Sequence, residues 1–516
     1  MSAKAAGSPW IAVAAGTLGA MMATLDISIV NAALPRIQGE IGASKDEGTW
    51  ISTAYLIAEI IMIPMAHWLS RILSMRTFLL IVTIGFMCFS IMCGLSETLV
   101  QMIIGRVGQG LTGGAMIPTA MTIVSTRLPP EQRSKGIALF AATAILGPAL
   151  GPATGGWLTE YYSWHYAFFL NVPIGFVLLA LLLVGVESEK MKLDLIARAD
   201  WLGIAGLAVG LSCFTIITEE GERLRWFEDP IIDRLAIVSF FGFVALAISQ
   251  FTAKEPIIDL KLIATRSFGS VFLMGIIIGG ALYGTLYLIP QYLTEIPNYN
   301  PATSGYVVTL SGAPALVCAL FFPILVKHID VRVAIGFGFL IYSTSCFIDA
   351  YITPTTAGPE FVWPQILRGI GQAFCMIFLN QAATAAVSKE KMGDASGLFN
   401  AARNLGGSIG LSFITVLQNN RNWLHTRRIE ESLTQNSSLG QEYMQRLSGL
   451  VSPSSEGLSR AYVLLRHQID MQASVMTYAD IFYVFAWFLI GITPLVLFLK
   501  PLPKQNGPKQ KQKVAA

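Results

Sequence analysis

The sequence has little charge and lacks the motifs of ATP-driven or zinc-dependent chemistry. Only 13% of its 516 residues are charged, whereas soluble domains average roughly 25%. It contains no G-x-x-x-x-G-K-[ST] phosphate loop and no H-E-x-x-H zinc motif. No polar stretch is long enough for a domain that hydrolyses ATP. Any work done against a gradient would therefore have to be driven by an ion gradient.

Cysteine usage and net charge exclude further classes. The six cysteines all lie inside apolar runs, without the spacing of a disulfide framework or a metal site. They are expected to pack as small apolar side chains. The net charge of +3 gives no sign of nucleic-acid binding. We expect no metal, no cofactor and no enzymatic activity.

Long apolar runs make up most of the chain. Apolar residues account for 53% of it, and a membrane-spanning helix needs about 20 mostly apolar residues. Fourteen runs qualify, at 11–34, 49–69, 77–95, 99–124, 137–159, 166–186, 201–219, 233–252, 268–290, 303–326, 333–352, 362–386, 396–418 and 475–499. The chain is predicted to be an all-α protein of the lipid bilayer. An even number of spans places both termini on one side.

The distribution of lysine and arginine predicts on which side of the membrane the termini lie. With a cytoplasmic N-terminus, the cytoplasmic segments hold 21 of these residues and the short outer loops hold five. Positive charge accumulates in the cytoplasmic loops of membrane proteins. Both termini are therefore predicted to be cytoplasmic.

An internal repeat divides the spans into two halves. Residues 136–151 align without gaps on 395–410, with six identities in 16 positions. Spans 4 and 5 therefore correspond to spans 12 and 13. The repeat predicts an N-terminal six-helix half, an inserted helix pair and a C-terminal six-helix half, at 11–186, 201–252 and 268–499. Such repeats are typical of transporters whose halves rock about a central site.

The segment before the last span is polar. Within 419–474, Leu458, Tyr462, Leu465 and Ile469 recur at helical spacing. Two or three amphipathic helices outside the membrane are predicted. A solvated hairpin and a docking surface for an extracytoplasmic protein are both compatible with this pattern.

Three charged residues are predicted to lie at similar depth. At ~1.5 Å per residue, Asp26, Glu59 and Arg106 lie roughly 10–15 Å below the outer end of their spans. Arg106 keeps its proton, whereas burial favours a neutral carboxyl, so a carboxyl near Arg106 can exchange protons. Asp26 is the first candidate for proton coupling and Glu59 the second. The alternatives are a paired or hydrated Asp26, and a Glu59 that serves only as the Arg106 counter-ion.

One span is rich in glycine and proline. Its distinctive residues are Gly147, Pro148, Gly151, Pro152, Gly155 and Gly156. Glycine at every fourth position gives a flat face for close helix packing, and the prolines bend the helix. We interpret the span as a pliable seal between the halves, with plain packing as the alternative.

Other polar residues are weaker candidates. Arg71 and Arg76, near the inner end of span 2, are topology signals or a cytoplasmic gate. His67 is expected at the membrane interface, and Asp349 and Asp480 are expected to be hydrated. The candidates for lining a substrate cavity are Asn31, Gln109, Phe140, Tyr283, Tyr287, Arg368, Gln372, Phe399 and Arg403. Bundle packing is the alternative for the aromatic residues, and ion pairing is the alternative for the arginines.

Several of these stretches resemble one family. Residues 25–35 are similar to its first-span motif, and Arg106 with Gln109 is similar to its fourth-span motif. Residues 147–156 resemble its fifth-span antiporter motif, and 164–175 resemble its sixth-span start. The family is the fourteen-span drug:proton antiporters of the EmrB/QacA type, in the major facilitator superfamily. One departure is the inner loop, where Ala66, Ser70 and Leu73 replace Gly, Asp and Gly, so the superfamily's acidic gate is not expected.

The resemblance implies a function and partners. It implies export of small hydrophobic toxic compounds in exchange for protons across the cell inner membrane. It also implies a periplasmic adaptor (membrane fusion) protein and an outer-membrane channel. Export of one endogenous metabolite or siderophore is an alternative, and a non-transporting receptor or scaffold is another.

Overall fold

The computed structural model describes residues 8–253, 256, 258–387, 391–433 and 455–499. Within these ranges all regular structure is helical. The α-helices are α1 Pro9–Ile41, α2 Lys45–Leu73, α3 Met75–Gly94, α4 Leu99–Arg127, α5 Pro130–Tyr161, α6 His165–Phe169, α7 Asn171–Gly185, α8 Trp201–Glu220, α9 Pro230–Thr252, α10 Lys261–Ala264, α11 Arg266–Glu295, α12 Pro301–Thr309, α13 Gly312–His328, α14 Val331–Asp349, α15 Val362–Ala385, α16 Met392–Ser432 and α17 Ser455–Ile492. Short 3₁₀ turns occupy Leu193–Arg198, Trp226–Glu228, Gly358–Phe361 and Thr493–Phe498.

The apolar runs form helices because a helix satisfies its own backbone N–H and C=O groups, as lipid requires. Polar residues begin several of them. The Ser44 side chain accepts from the Glu47 amide at the start of α2, and Asp200 accepts from the Gly203 amide at the start of α8. Such caps satisfy amides that the first turn of a helix leaves free.

Twelve helical stretches of the described residues are long and apolar enough to cross a membrane. They match twelve of the fourteen predicted spans. The other two predicted spans lie in α4 and α16, which have 29 and 41 residues but are less apolar. The all-helical prediction is confirmed, and the count of fourteen stays a prediction.

The helices pack in two groups. In the first, α1 packs on α5 and α2 on α4; in the second, α11 packs on α16 and α14 on α15. The groups meet along a seam, where α5 contacts α12 and α13 and where α2 contacts α16. Helices α8 and α9 pack on each other, and α8 also contacts both α2 and α16. The α2–α16 part of the seam positions the candidate site.

The polar segment before the last span differs from its prediction. Residues 419–432 continue α16 and residues 455–474 begin α17, so the described parts are extensions of two long helices and not separate ones. The helical period was correct, because Tyr462, Leu465 and Ile469 lie in α17. Arg466 bridges the extensions by an ion pair with Glu430, at 2.5 Å. Residues 434–454 lie outside the described part.

Candidate functional site

Asp26 lies in a buried network that joins α1, α4 and α7. Arg106 Nη1 donates to Asp26 Oδ2 at 2.6 Å. The other carboxylate oxygen accepts from Gln109 Nε2 at 3.0 Å and from Asn171 Nδ2 at 2.6 Å. Asp26, Arg106 and Gln109 are all fully buried. Both Asp26 oxygens are thus paired, and its counter-ion is Arg106, as a buried charge requires.

The Arg106 side chain also attaches α2 to this network. Its Nε donates to the Ile51 carbonyl at 2.9 Å, and its guanidinium carbon lies 4.3 Å from the centre of the Tyr55 ring. Because Asp26 neutralises Arg106 at hydrogen-bond distance, Glu59 is not the ion-pair partner of this arginine. The three residues were predicted to lie at similar depth. The structure pairs Asp26 with Arg106 and leaves Glu59 outside this ion pair.

Sequence reasoning assigned no role to two members of the network. Ser90 Oγ accepts from Gln109 Nε2 at 2.8 Å and from Asn171 Nδ2 at 3.2 Å. The signal for Asn171 was an amide within an otherwise apolar run. Ser90 offered none, because a serine in a span commonly bonds its own helix backbone.

Glu59 lies on α2 at the seam and is fully buried. Neither of its carboxylate oxygens makes a hydrogen bond of ordinary geometry with a described residue, although the Asn404 side chain of α16 lies within reach of the carboxylate. Its polar neighbours across the seam are Arg403 and Asn404 of α16. A buried carboxyl without hydrogen bonds is costly to keep ionised, so its protonation state responds to whatever approaches it. Of the two carboxyls predicted as candidates for proton coupling, Glu59 is the one without an ion-pair partner within 4 Å among the described residues.

Arg403 and Asn404 are themselves linked. Arg403 Nε and Nη2 both donate to Asn404 Oδ1 at 3.3 Å, and Tyr283 of α11 donates to the same oxygen at 3.4 Å. Asn404 Nδ2 makes no hydrogen bond of ordinary geometry with a described residue, and the Asn404 side chain lies close to the Glu59 carboxylate. We call Glu59, Arg403, Asn404 and Tyr283 the seam cluster. Since Arg403 keeps its proton, the net charge of the cluster changes from zero to +1 when Glu59 gains one.

The second half holds its own buried ion pair. Arg368 of α15 hydrogen-bonds Asp349 of α14, and these residues are 3% and 2% exposed. The prediction that Asp349 is hydrated was wrong, because Arg368 supplies its counter-charge inside the half. Ion pairing is thus what Arg368 does in this structure. Gln372 lies one turn further along α15 and is also buried.

The glycine-rich helix α5 packs closely on α1. A Cβ atom at Gly147 would lie 2.1 Å from Thr24 Oγ1, and one at Gly151 would lie 2.2 Å from Ser28 Cβ. Gly155 faces the Ile29 backbone in the same way. Thr309 of α12 donates to the Ala149 carbonyl of α5 at 2.7 Å. Helix α5 therefore contacts α1 of the first half through its glycine face, and α12 of the second half through another part of its surface.

This face predicts the effect of a single methyl group. Gly151→Ala is expected to lower stability by about 1–3 kcal/mol, because α1 and α5 have to separate to admit it. Thermal unfolding of the purified protein in detergent measures the change. Gly491→Ala in α17 is the matched control, since nothing lies within 4 Å of its added Cβ. Equal stability of the two variants would contradict the packing role.

The remaining cavity candidates lie in different places. Phe140 is buried in a cluster of first-half residues, whereas Phe399 is buried in a cluster that also includes Ile60 of α2 and Ala138 of α5. Tyr287 is 44% exposed. Asn31 is exposed and accepts from Ser52 Oγ at 2.8 Å. Of the aromatic candidates, Tyr283 is the one that hydrogen-bonds Asn404, a neighbour of Glu59.

Basic and acidic side chains also meet at the predicted cytoplasmic end of the seam. His67 Nε2 of α2 lies 4.0 Å from Asp394 Oδ1 of α16, and Arg71 is a further neighbour of this carboxylate. Nearby, a hydrogen bond to Asp259 raises the pKa of Lys391. The acidic residue here belongs to the second half, whereas the superfamily pattern places one in the first. Arg76 lies at the start of α3.

These features define a class of protein: a multi-pass helical protein of the inner membrane, with two helix groups and charges buried at their seam. Residues 16–411 match the Major Facilitator Superfamily, and the chain belongs to that superfamily. The resemblance inferred from the motifs is confirmed.

Curated relatives match along nearly the whole chain. The colistin resistance protein EmrB of Acinetobacter baumannii is 31% identical, over 96% of this chain and 97% of its own. The multidrug export protein EmrB of Escherichia coli K12 is 30% identical, over 94% of each chain. The fatty acid resistance protein FarB of Neisseria gonorrhoeae is 27% identical, over 98% of each.

Solved structures share the fold. The human organic anion transporter MFSD10 is similar, with a TM-score of 0.56 and 14% identity over 93% of this chain and 99% of its own. A bacterial homologue of the lysosomal transporter Spinster, in an inward-facing and occupied conformation, gives a TM-score of 0.52 and 15% identity. Its match covers 94% of this chain and 95% of its own.

Proposed function

We propose that this chain is a proton-driven multidrug efflux antiporter that exports small hydrophobic toxic compounds across the inner membrane. Relatives named for multidrug export, colistin resistance and fatty acid resistance support an exporter of chemically varied amphipathic compounds. The observation that carries proton coupling is the Glu59 carboxyl, which is buried at the seam and makes no hydrogen bond of ordinary geometry with a described residue.

The proposed architecture has fourteen spans and cytoplasmic termini. The two less apolar helices count as spans because α4 packs against α1, α2 and α3, and α16 packs against α2, α11 and α17. Helices so enclosed need no apolar surface towards lipid. The proposed units remain the two six-helix halves, 11–186 and 268–499, with the inserted pair 201–252 between them.

In the proposed cycle, Glu59 alternates between proton and cargo. When Glu59 is ionised, the seam cluster is neutral overall and accepts a cationic or hydrogen-bond-donating compound from the cytoplasm. A proton arriving from outside neutralises Glu59 and leaves the positive charge of Arg403, which repels such cargo. Competition for one group is sufficient to couple the two fluxes.

Asp26 has a different task in this proposal. Three donors hold its carboxylate, so it is the anchor that keeps α1, α4 and α7 together while the halves move. Of the two carboxyls that the sequence left open as proton carrier, we therefore assign the exchange to Glu59. The glycine face of α5 lets the seam flex beside this anchor.

We also propose a periplasmic adaptor protein and an outer-membrane channel as partners. Helix α16 has 41 residues, about 60 Å of helix at ~1.5 Å per residue, whereas the hydrocarbon core is only about 30 Å thick. Its extension and that of α17 therefore project from the membrane. They expose Trp423 and Tyr462, aromatic side chains of the kind enriched at protein interfaces.

Proteoliposomes with an imposed pH gradient test the function. The purified chain is expected to accumulate ethidium in an acidic lumen and to release protons as ethidium enters. Lauric acid and colistin extend the panel to an acid and a cationic peptide. An uncoupler should abolish accumulation. Accumulation that survives the uncoupler, or none for any compound, would refute the proposal.

A further inference from the structure

The inserted pair places a carboxyl at the seam between the halves. Glu219, near the end of α8, accepts from Ser408 Oγ of α16 at 3.2 Å. The Thr53 side chain of α2 also lies close to this carboxylate. The side chain therefore touches both halves at once, although it belongs to neither.

Contacts at both ends of α8 hold Glu219 in this position. At the start of α8, the Trp201 ring lies edge-on to Trp68 of α2, with centroids 6.2 Å apart. Beyond the end of α8, Asn419 of α16 donates to Glu222 at 3.1 Å. The helix thus follows the seam from α2 at one end to α16 at the other.

The surroundings of Glu219 are polar but carry little charge. Among the described residues, the charged group that acts on it is Glu220 of its own helix. Arg223 donates to the Glu220 carboxylate at 2.5 Å and occupies it. The helices packed against Glu219 contribute the hydroxyls of Thr53 and Ser408. A carboxyl facing two hydroxyls has neighbours that can both donate and accept protons.

A line of polar side chains leads from Glu219 to Glu59. Asn404 lies one turn from Ser408 on the same face of α16, and it is a neighbour of Glu59. Along α2, Thr53 precedes Glu59 by six residues, about 9 Å of helix axis. Glu219 is partly exposed and Glu59 is fully buried. Exposure to solvent therefore decreases along this line, from Glu219 towards the seam cluster.

We propose that Glu219 takes up a proton from the outer aqueous side and passes it to Glu59. The inference rests on the proposed function, in which Glu59 exchanges protons. A hydronium ion outside gives its proton to the Glu219 carboxylate. The Ser408 hydroxyl and water admitted as the seam opens carry the proton to the Glu59 carboxylate, and Glu219 is left ionised again. Only O–H bonds form and break.

Glu219→Gln separates this role from a structural one. In proteoliposomes, ethidium transport driven by a pH gradient is expected to fall about tenfold or more, because the carboxyl that takes up the proton is gone. Exchange of labelled for unlabelled ethidium at equal pH needs no net proton uptake. Its rate is expected to stay within about twofold of wild type. Glu219→Asp should restore part of the gradient-driven rate.

The controls distinguish failure of this inference from failure of the proposed function. Asp233→Asn removes an exposed carboxyl from α9 of the same inserted pair and should leave both rates unchanged. A wild-type gradient-driven rate in Glu219→Gln, together with its loss in Glu59→Gln, would overturn the role of Glu219 alone. An equal fall of both rates in Glu219→Gln would make it a structural latch and also overturn the role. No gradient-driven transport in the wild-type chain would overturn both proposals.

Discussion

Glu59→Gln is expected to abolish efflux driven by a pH gradient while leaving the protein folded. Glutamine keeps the size of the side chain but can neither gain nor lose a proton. Since no described residue makes a hydrogen bond of ordinary geometry with the Glu59 oxygens, and a glutamine oxygen can still accept from the nearby Asn404 amide, the substitution breaks no strong bond. The stability change should therefore stay within about 1 kcal/mol. The gradient-driven rate should fall by about 100-fold or more, the size of contribution that a positioned proton-transfer group makes.

Two measurements on the same reconstituted variant check this result. A pH-sensitive dye inside proteoliposomes reports whether addition of ethidium releases protons, and thermal unfolding reports folding. The variant should release none. Its ethidium exchange at equal pH should also fall, because glutamine resembles the protonated Glu59 that leaves the Arg403 charge to repel cationic cargo. Asp233→Asn serves again as the exposed control. Proton release at the wild-type rate by Glu59→Gln would return the coupling role to another carboxyl.

The helices were predictable because membrane physics restricts the choices. A chain in lipid has to satisfy its own backbone, so each long apolar run becomes a helix. The ends were less predictable. The run at 396–418 ends where side chains become polar, yet α16 continues to Ser432. Hydropathy detects where a helix leaves lipid, whereas the helix ends only where its hydrogen bonding stops.

The charged residues were predictable as a set, but their pairing was not. Depth placed Asp26, Glu59 and Arg106 together, and the structure pairs two of them. Which carboxyl meets Arg106 depends on the rotation of α1 and α2 about their axes. The role of Glu219 could not be predicted from sequence either, because the residue lies at the end of an apolar run, where charged residues are common. Its contacts with α2 and α16 arise only from tertiary packing.

Asp26→Asn is expected to destabilise the protein, whereas a residue that only carried protons would lose transport alone. The substitution leaves Arg106 as a buried cation without a counter-ion, and breaking such a pair costs about 3–5 kcal/mol. It also places an amide N–H₂ where Asp26 now accepts from three donors. In either orientation of the introduced amide, its N–H₂ group faces at least one of the donors that the Asp26 carboxylate now accepts from, so that donor loses its hydrogen bond.

A double variant identifies the cause of this loss. Asp26→Asn combined with Arg106→Gln removes both charges, so it should recover part of the stability that Asp26→Asn alone loses. Recovery of this kind is the coupling energy that a double-mutant cycle measures. Thermal unfolding in detergent gives the four stabilities, with ethidium exchange as a second test of folding. If Asp26→Asn were as stable as wild type and lost only pH-driven transport, Asp26 would be the proton carrier and the anchor role would be wrong. Because Asp26 and Glu59 lie in separate networks, the two carboxyls should fail in different ways, one in stability and the other in coupling.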